Sequence, residues 1–302
     1  MRNIYLLCLF LFVPFYGLLA QTIQKTDADR KLIISLAGGY AAEDLNWSIA
    51  GNAAGRNPNV LSELIWKDLK GPSLNLNVKY KFWRQLFFEG SFSSKFTTSG
   101  HVSDTDYGED NRNAQSFRVV LNSNTGKRLL STAALGYNLP VVEKLIAALS
   151  VGYFINKQLL YLKDYNQSVD DPVNSSYKTK WTGVFFKVEP SYQLSRLVGL
   201  AASFKYYQAN YNAKGDWNLI TDFQHPVSYT HVANGYGIET ALKVNYHLTR
   251  NLSVFVVANY LKWDTGKGTD KLYQTNGQTP ETQLNGVNSK GYGFNAGLNM
   301  LF

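Results

Sequence analysis

The sequence predicts an all-β fold, a transmembrane antiparallel up-and-down β-barrel of about ten strands with long extracellular loops and short periplasmic turns. Three observations point there. The terminal segment from Gly291 to Phe302 places Tyr292, Phe294, Ala296, Leu298, Met300 and Phe302 at alternate positions, with mostly Gly or Asn between them. In a sheet closed around a lumen, side chains point alternately to lipid and to the interior, so a half-apolar, period-two segment running to a terminal aromatic fits a last barrel strand. Aromatics reach 14%, with 20 Tyr, against 17% charged residues, as expected of aromatic girdles at both membrane interfaces. At the other end, Arg2 precedes a continuous apolar stretch from Ile4 to Ala20, followed by the polar Gln21 to Lys25, which reads as a cleaved secretory signal.

These observations divide the chain into a signal peptide (1–20), a short lead (21–30) and a single barrel (31–302). The only cysteine, Cys8, falls in the signal, so the mature chain is expected to carry no thiol, disulfide or Cys-ligated metal. The formal charge is +8. Basic residues are dispersed along strands and loops without a patch or stripe, which argues against nucleic acid as a partner. Anionic outer-membrane lipid and lipopolysaccharide fit the balance better. The expected location is the outer membrane of a Gram-negative cell, with loops at the cell surface.

The segment 74–82 is the clearest element: Leu74, Leu76, Val78, Tyr80 and Phe82 alternate with Asn75, Asn77, Lys79 and Lys81. The same parity recurs through Val184, Phe186 and Val188, through Leu149, Val151, Tyr153 and Ile155, and through Ile238, Leu242, Val244 and Tyr246. Strands are expected near 31–46, 62–82, 86–106, 115–138, 145–163, 177–194, 198–217, 232–248, 252–265 and 286–302. Connections alternate between tight joints and longer polar loops, which sets periplasmic against extracellular ends. Glu89, Lys79, Lys187, Glu189, Lys205, Glu239 and Lys243 then point into a narrow lumen. Charges there need partners, so mutual neutralisation is expected, and it argues against a wide aqueous channel.

Two acidic strand tips face outward from the membrane: Asp104-Thr-Asp106-Tyr107 and Asp216-Trp-Asn218. Carboxylates close enough to repel raise one pKa and can hold or activate a water. A solvated acidic loop with weak Ca²⁺ affinity, including Glu109, Asp110 and Asn111, is the alternative. Lumen parity on the third strand is odd (Glu89, Ser91, Ser93, Lys95), whereas Asp104 and Asp106 are even. A bulge is therefore required, at Ser99-Gly100, and Gly215 is the matching position before Asp216. No His/Cys metal spacing, phosphate loop or Gly-x-Ser-x-Gly elbow is present, so no metal or other cofactor is expected from motifs.

Ser62-Glu-Leu-Ile-Trp66, Thr97-Thr-Ser-Gly100, Asp104-Thr-Asp106-Tyr107 and Phe204-Lys205-Tyr206 carry a resemblance to the omptins, ten-stranded outer-membrane endopeptidases, over essentially the whole mature chain. The resemblance places Asp104 and Asp106 on an Asp-x-Asp-Trp sequence, Asp216 on the Asp of an Asp-x-His motif, and Glu43 on a glutamate of the specificity pocket. It implies a water positioned by Asp104 and Asp106, a base oriented by Asp216, a basic substrate residue accepted by Glu43, a polypeptide substrate, and a lipopolysaccharide requirement. Two departures stand out. Asn218 replaces the catalytic His, and Lys214 replaces an acidic residue. Asparagine cannot take a proton from water, and a general base typically contributes about 10²- to 10⁴-fold.

Of the four histidines, His225 in Asp222-Phe-Gln-His225-Pro226 is best placed to return to Asp216 as a substitute base. His101 precedes Asp104 by three residues, His231 begins the eighth strand, and His247 lies near a periplasmic turn. The sequence thus supports an omptin-like barrel that is non-catalytic, with a surface-binding or envelope-structural role. The alternative is an active cell-surface endopeptidase using the Asp pair and a His-assisted water.

Overall fold

The computed structural model describes residues 30–165, 172–218 and 220–302; the expected signal and nearly all of the lead lie outside them. The described chain forms one closed antiparallel barrel of ten staves. In order these are β1 (Leu32–Ile49), β2 (Ser62–Trp83), β3 (Leu86–Thr97) continued by β4 (Ser99–Glu109), and β5 (Asn113–Asn122) continued by β6 (Gly126–Val142). There follow β7 (Leu145–Lys163), β8 (Asn174–Gln193), β9 (Val198–Asp216), β10 (Tyr229–His247), β11 (Leu252–Thr265) and β13 (Glu281–Leu301). A short β12 (Gly268–Leu272) forms inside the expected last long loop and pairs with β10 and β13. Closure comes from β1, which pairs β2 on one edge and β13 on the other.

Alternation decides the two faces. Leu74, Leu76, Tyr80 and Phe82 of β2 are exposed, as are Tyr292, Phe294 and Leu298 of β13. Exposed apolar side chains form a band from Phe82, Trp83 and Tyr137 at the turn end to Tyr40, Phe96, Tyr206 and Tyr236 toward the loop end. An outward apolar belt bounded by aromatics is what a lipid-facing wall requires.

The inner face is polar below and aromatic above. Lys187 Nζ lies 2.8 Å from Glu89 and 2.9 Å from Glu189, and Lys205 Nζ lies 3.2 Å from Glu239. Lys79 donates to Asn138 and Lys243 to Asn299, so the expected lumen charges do meet partners. They line a cavity of about 320 Å³. Over this cavity sit Phe154, Tyr207, Trp181 and Trp263, with ring centroids 4.8 Å apart for Phe154–Tyr207 and 5.2 Å for Trp181–Trp263. All four rings are buried, so bulky side chains fill the lumen at that height.

The third stave breaks where the parity argument requires it. β3 pairs β2 as far as Ser73↔Lys95, and β4 resumes against β2 with a register shift between Lys67 and Lys70. Gly100 has φ +151°, and a Cβ there would meet Leu69 Cδ2 at 2.8 Å, so glycine is needed. Beyond the break, Val102 and Asp104 lie opposite Trp66 and Leu64 of the buried core, and the inward set has changed from odd to even.

Candidate functional site

Above the aromatic band, the outer end of β4 turns Asp104 and Asp106 toward the mouth. Asp104 is 7% exposed, and its Oδ1 has no hydrogen-bond partner among the described residues. Burial, with the Asp106 carboxylate two residues on as the lesser cause, pushes the Asp104 carboxyl up to about 7. At neutral pH it is therefore shared between acid and carboxylate forms.

The outer end of β9 behaves differently. Its pairing with β8 runs without a shift from Phe204 to Asp216, and its pairing with β10 is unbroken through Gly215. The expected bulge at Gly215 does not form. That glycine serves a different purpose, because a Cβ there would run into the ring of Tyr229. Asp216 consequently keeps the outward parity of Asn212 and Lys214. His225 does return to it, with Nδ1 2.8 Å from Asp216 Oδ1, and both side chains are partly exposed. Asn218 is a tie: its Oδ1 accepts from the Asn174 backbone N–H and the Ser175 hydroxyl, and its Nδ2 donates to the Pro172 carbonyl. The structure thus joins Asp216 to His225 on the outer side of the wall and sets Asp104 and Asp106 on the inner side.

Glu43 sits deep inside, with its side chain 2% exposed. Lys95 Nζ and Arg128 Nη1 each lie 2.7 Å from its carboxylate, and Gln158 donates to it as well. Both oxygens are already engaged, so a basic group from elsewhere would have to displace a resident cation.

A buried cluster that sequence reading missed surrounds His231. Its Nδ1 faces the Tyr177 hydroxyl at 2.8 Å, which in turn is 2.6 Å from the Tyr211 hydroxyl. Its Nε2 is 3.1 Å from Asp270 Oδ1, although the N–H is not aligned for a hydrogen bond. Trp47 and Tyr229 pack on the ring at 4.8 and 5.1 Å between centroids. Burial holds the hydroxyls of Tyr177 and Tyr229 well above the usual phenol range, so both stay protonated. With each ring nitrogen facing a partner, His231 works as a packing and bonding centre. The pairing of β10 with β12 creates it, and nothing local in the sequence announces it.

Outside the wall, Lys127, Lys157, Lys178, Lys180 and Lys214 are exposed and line a groove of about 600 Å³. They lie just beyond the apolar band on four consecutive staves, with Leu129 and Leu159 as an apolar floor. Lys157 is registered opposite Lys180, and Lys178 opposite Lys214. Among the described residues none of the five has an ion-pair partner. Read along the chain these lysines look scattered. The missed signal was that all five have outward parity at one height. Among the described residues, no group of three or more His, Cys, Asp or Glu is arranged to hold a metal ion.

A sealed antiparallel wall with an outward apolar belt and a filled interior defines an integral outer-membrane β-barrel protein. The chain belongs to the Protochlamydia outer membrane protein family, whose model matches residues 35–302. Among solved structures it is similar to the outer membrane protease OmpT from Escherichia coli, with a TM-score of 0.74 and 14% identity over 91% of this chain and 97% of that one. At that identity the likeness is one of fold. The outer membrane protein OprG from Pseudomonas aeruginosa matches with a TM-score of 0.41 and 13% identity, over 92% of this chain and 99% of that one. No curated protein sequence matches the chain.

Proposed function

We propose that this barrel is a non-catalytic protein on the omptin plan that holds anionic head groups of outer-leaflet lipid, such as the phosphates of lipopolysaccharide, against its outer wall. The observation that carries the reading is the two pairs of opposed lysines, Lys157 with Lys180 and Lys178 with Lys214. Like charges directly opposite on neighbouring strands destabilise a sheet, and a bridging phosphate reverses that sign. Their place one step beyond the lipid-facing band puts them at head-group height, where each lysine contributes about 1 kcal/mol of attraction to an anionic surface.

The proposed absence of catalysis is supported by the sidedness of the site. A hydrolytic water needs an acid and a base converging on one point, and the Asp104–Asp106 pair and the Asp216–His225 pair belong to opposite faces of the wall. The test uses the full barrel in vesicles of neutral phosphatidylcholine with and without lipopolysaccharide, and with inorganic phosphate at matched ionic strength. Lipopolysaccharide should raise the unfolding temperature, and the Lys157→Gln/Lys180→Gln double variant should lose most of that gain. Equal stabilisation of both proteins would refute the lipid site; an equal gain from phosphate alone would reassign it to a soluble anion.

One observation favours a second reading, a cell-surface endopeptidase. Asp104 has the raised carboxyl of an acid–base group, and His225 is bonded to Asp216. Cleavage of unstructured peptides by the lipid-reconstituted protein, abolished in Asp104→Ala, would establish that activity in place of the non-catalytic one.

A further inference from the structure

Every joint at the turn end of the barrel carries an exposed cation. Arg84 lies between β2 and β3, Lys144 between β6 and β7, Arg196 between β8 and β9, and Arg250 between β10 and β11. Lys31 stands where β1 closes on β13, its backbone N–H 2.9 Å from the Phe302 carbonyl oxygen. Ten staves have five joints at that end, so the five cations form a ring around it. Among the described residues of these joints the one acid is Glu143, and none of the five cations makes an ion pair. Residues 21–29 contribute Lys25, Asp27 and Asp29, too few acids to reverse the sign.

The height of this ring is fixed by the fold. Arg84 and Gln85 alone separate β2 from β3, and Glu143 and Lys144 alone separate β6 from β7. The two longer joints are pinned, because the His247 N–H donates to the Leu197 carbonyl and the Leu301 N–H to that of Asn251. No joint can therefore reach far from the wall. Exposed apolar residues lie within two positions of each turn cation (Trp83, Val142, Leu197 and Leu248), and Phe302 lies beside Lys31. Arg84 shows the arrangement most clearly. Its guanidinium carbon is 5.3 Å from the centre of the Trp83 ring, a cation–π contact that holds the charge at the interface where tryptophan settles. Its φ is +45°, the left-handed region where glycine is cheapest, so an arginine is carried there at a backbone cost.

We infer that this ring binds the head-group phosphates of anionic phospholipid in the inner leaflet of the outer membrane. Cations one step beyond a lipid-facing band lie at head-group height, and their complement there is a shell of anionic heads. Each basic residue close to an anionic surface contributes about 1 kcal/mol of attraction. The guanidinium groups of Arg84, Arg196 and Arg250 can in addition give a phosphate two parallel N–H bonds. A periplasmic polyanion, such as the carboxylates of the cell-wall peptides, fits less well, because short pinned joints keep the charges against the membrane plane. The ring lies at the opposite end of the wall from the lysine groove, so the two sites face different leaflets.

The test uses the full chain in phosphatidylcholine vesicles containing either brominated phosphatidylglycerol or brominated phosphatidylcholine. The readout is quenching of Trp83, the one exposed tryptophan of the six. The wild type should prefer phosphatidylglycerol roughly fivefold, the ratio set by about 1 kcal/mol of attraction per basic residue, and the preference should fall as salt is added. The Arg84→Gln/Lys144→Gln/Arg196→Gln/Arg250→Gln variant should lose most of it. An Arg84→Lys/Arg196→Lys/Arg250→Lys variant should keep it, and so should Lys157→Gln/Lys180→Gln. The proposal is overturned by equal quenching from the two lipids in the wild type, or by a preference that survives in the fourfold glutamine variant. Loss of the preference in the groove variant alone would overturn it by assigning the lipid to the groove. Equal quenching, joined to co-sedimentation with purified cell-wall sacculi that the fourfold variant loses, would give the ring to the cell wall.

Discussion

The outer ends of β4 and β9 look alike in sequence and differ in the fold. Each carries an aspartate motif, each has a glycine shortly before it, and on each the parity of the strand below aims the motif away from the lumen. On β4 the ladder breaks, Gly100 takes φ +151°, and Asp104 and Asp106 swing inward. On β9 the ladder runs on, and Asp216 stays outside with His225. The difference lies in what each glycine faces. Gly100 is held by Leu69 and the Ser123 carbonyl in a conformation only glycine adopts easily, whereas Gly215 makes room for the Tyr229 ring in an otherwise regular strand. One residue of ladder slippage decides which side of a membrane wall a carboxylate occupies.

The largest expected effect comes from the buried end. Because the Asp104 carboxyl rises from an ordinary 3.8 to about 7, the group costs nothing below about pH 4, its penalty grows between about pH 4 and 7, and it levels off above that. Asp104→Asn should therefore stabilise the barrel at pH 8 by roughly 3–4 kcal/mol at most, and hardly at all at pH 4, as read from denaturant unfolding at the two pH values.

The glycines come next. Gly100→Val forces a branched side chain into the left-handed region and against Leu69, and Gly215→Val drives into Tyr229. Each should cost about 1–3 kcal/mol, seen as a lower unfolding temperature in micelles. Gly215→Val should also disturb the fluorescence of Trp47 and Trp217, which pack on Tyr229.

How much of this was legible in the sequence can be judged at these same residues. Alternation alone placed all ten staves and the inward charges, because a closed sheet leaves each side chain two possible destinations. The break at Ser99-Gly100 was readable from the clash between Glu89–Lys95 parity and Asp104. The regular ladder at Gly215 was not, because the reason for that glycine is a ring on the neighbouring strand. The His231–Tyr177–Asp270 cluster and the lysine groove were hidden for the same reason: they join residues from different strands, and their registers are set by the whole barrel.

Smaller effects follow. Asn218→Ala removes three hydrogen bonds that fasten the start of β8, and should cost about 1 kcal/mol. Asn218→His puts back the residue type that the omptin resemblance assigns there, and should still give no peptide cleavage, because the neighbouring Asp216 faces out. The smallest change belongs to His225→Gln. Its hydrogen bond with Asp216 is partly exposed, so the loss should be about 0.2–1 kcal/mol.

Sidedness itself can be read directly, since Cys8 is the only cysteine and precedes the barrel. Asp104→Cys and Asp216→Cys, each as a single variant in intact cells, are treated with a bulky maleimide that does not cross membranes. Position 216 should label rapidly and position 104 should resist until the barrel is unfolded. Equal labelling of the two positions, or protection of 216 with ready labelling of 104, would contradict the placement of the two aspartate motifs on opposite sides of the wall.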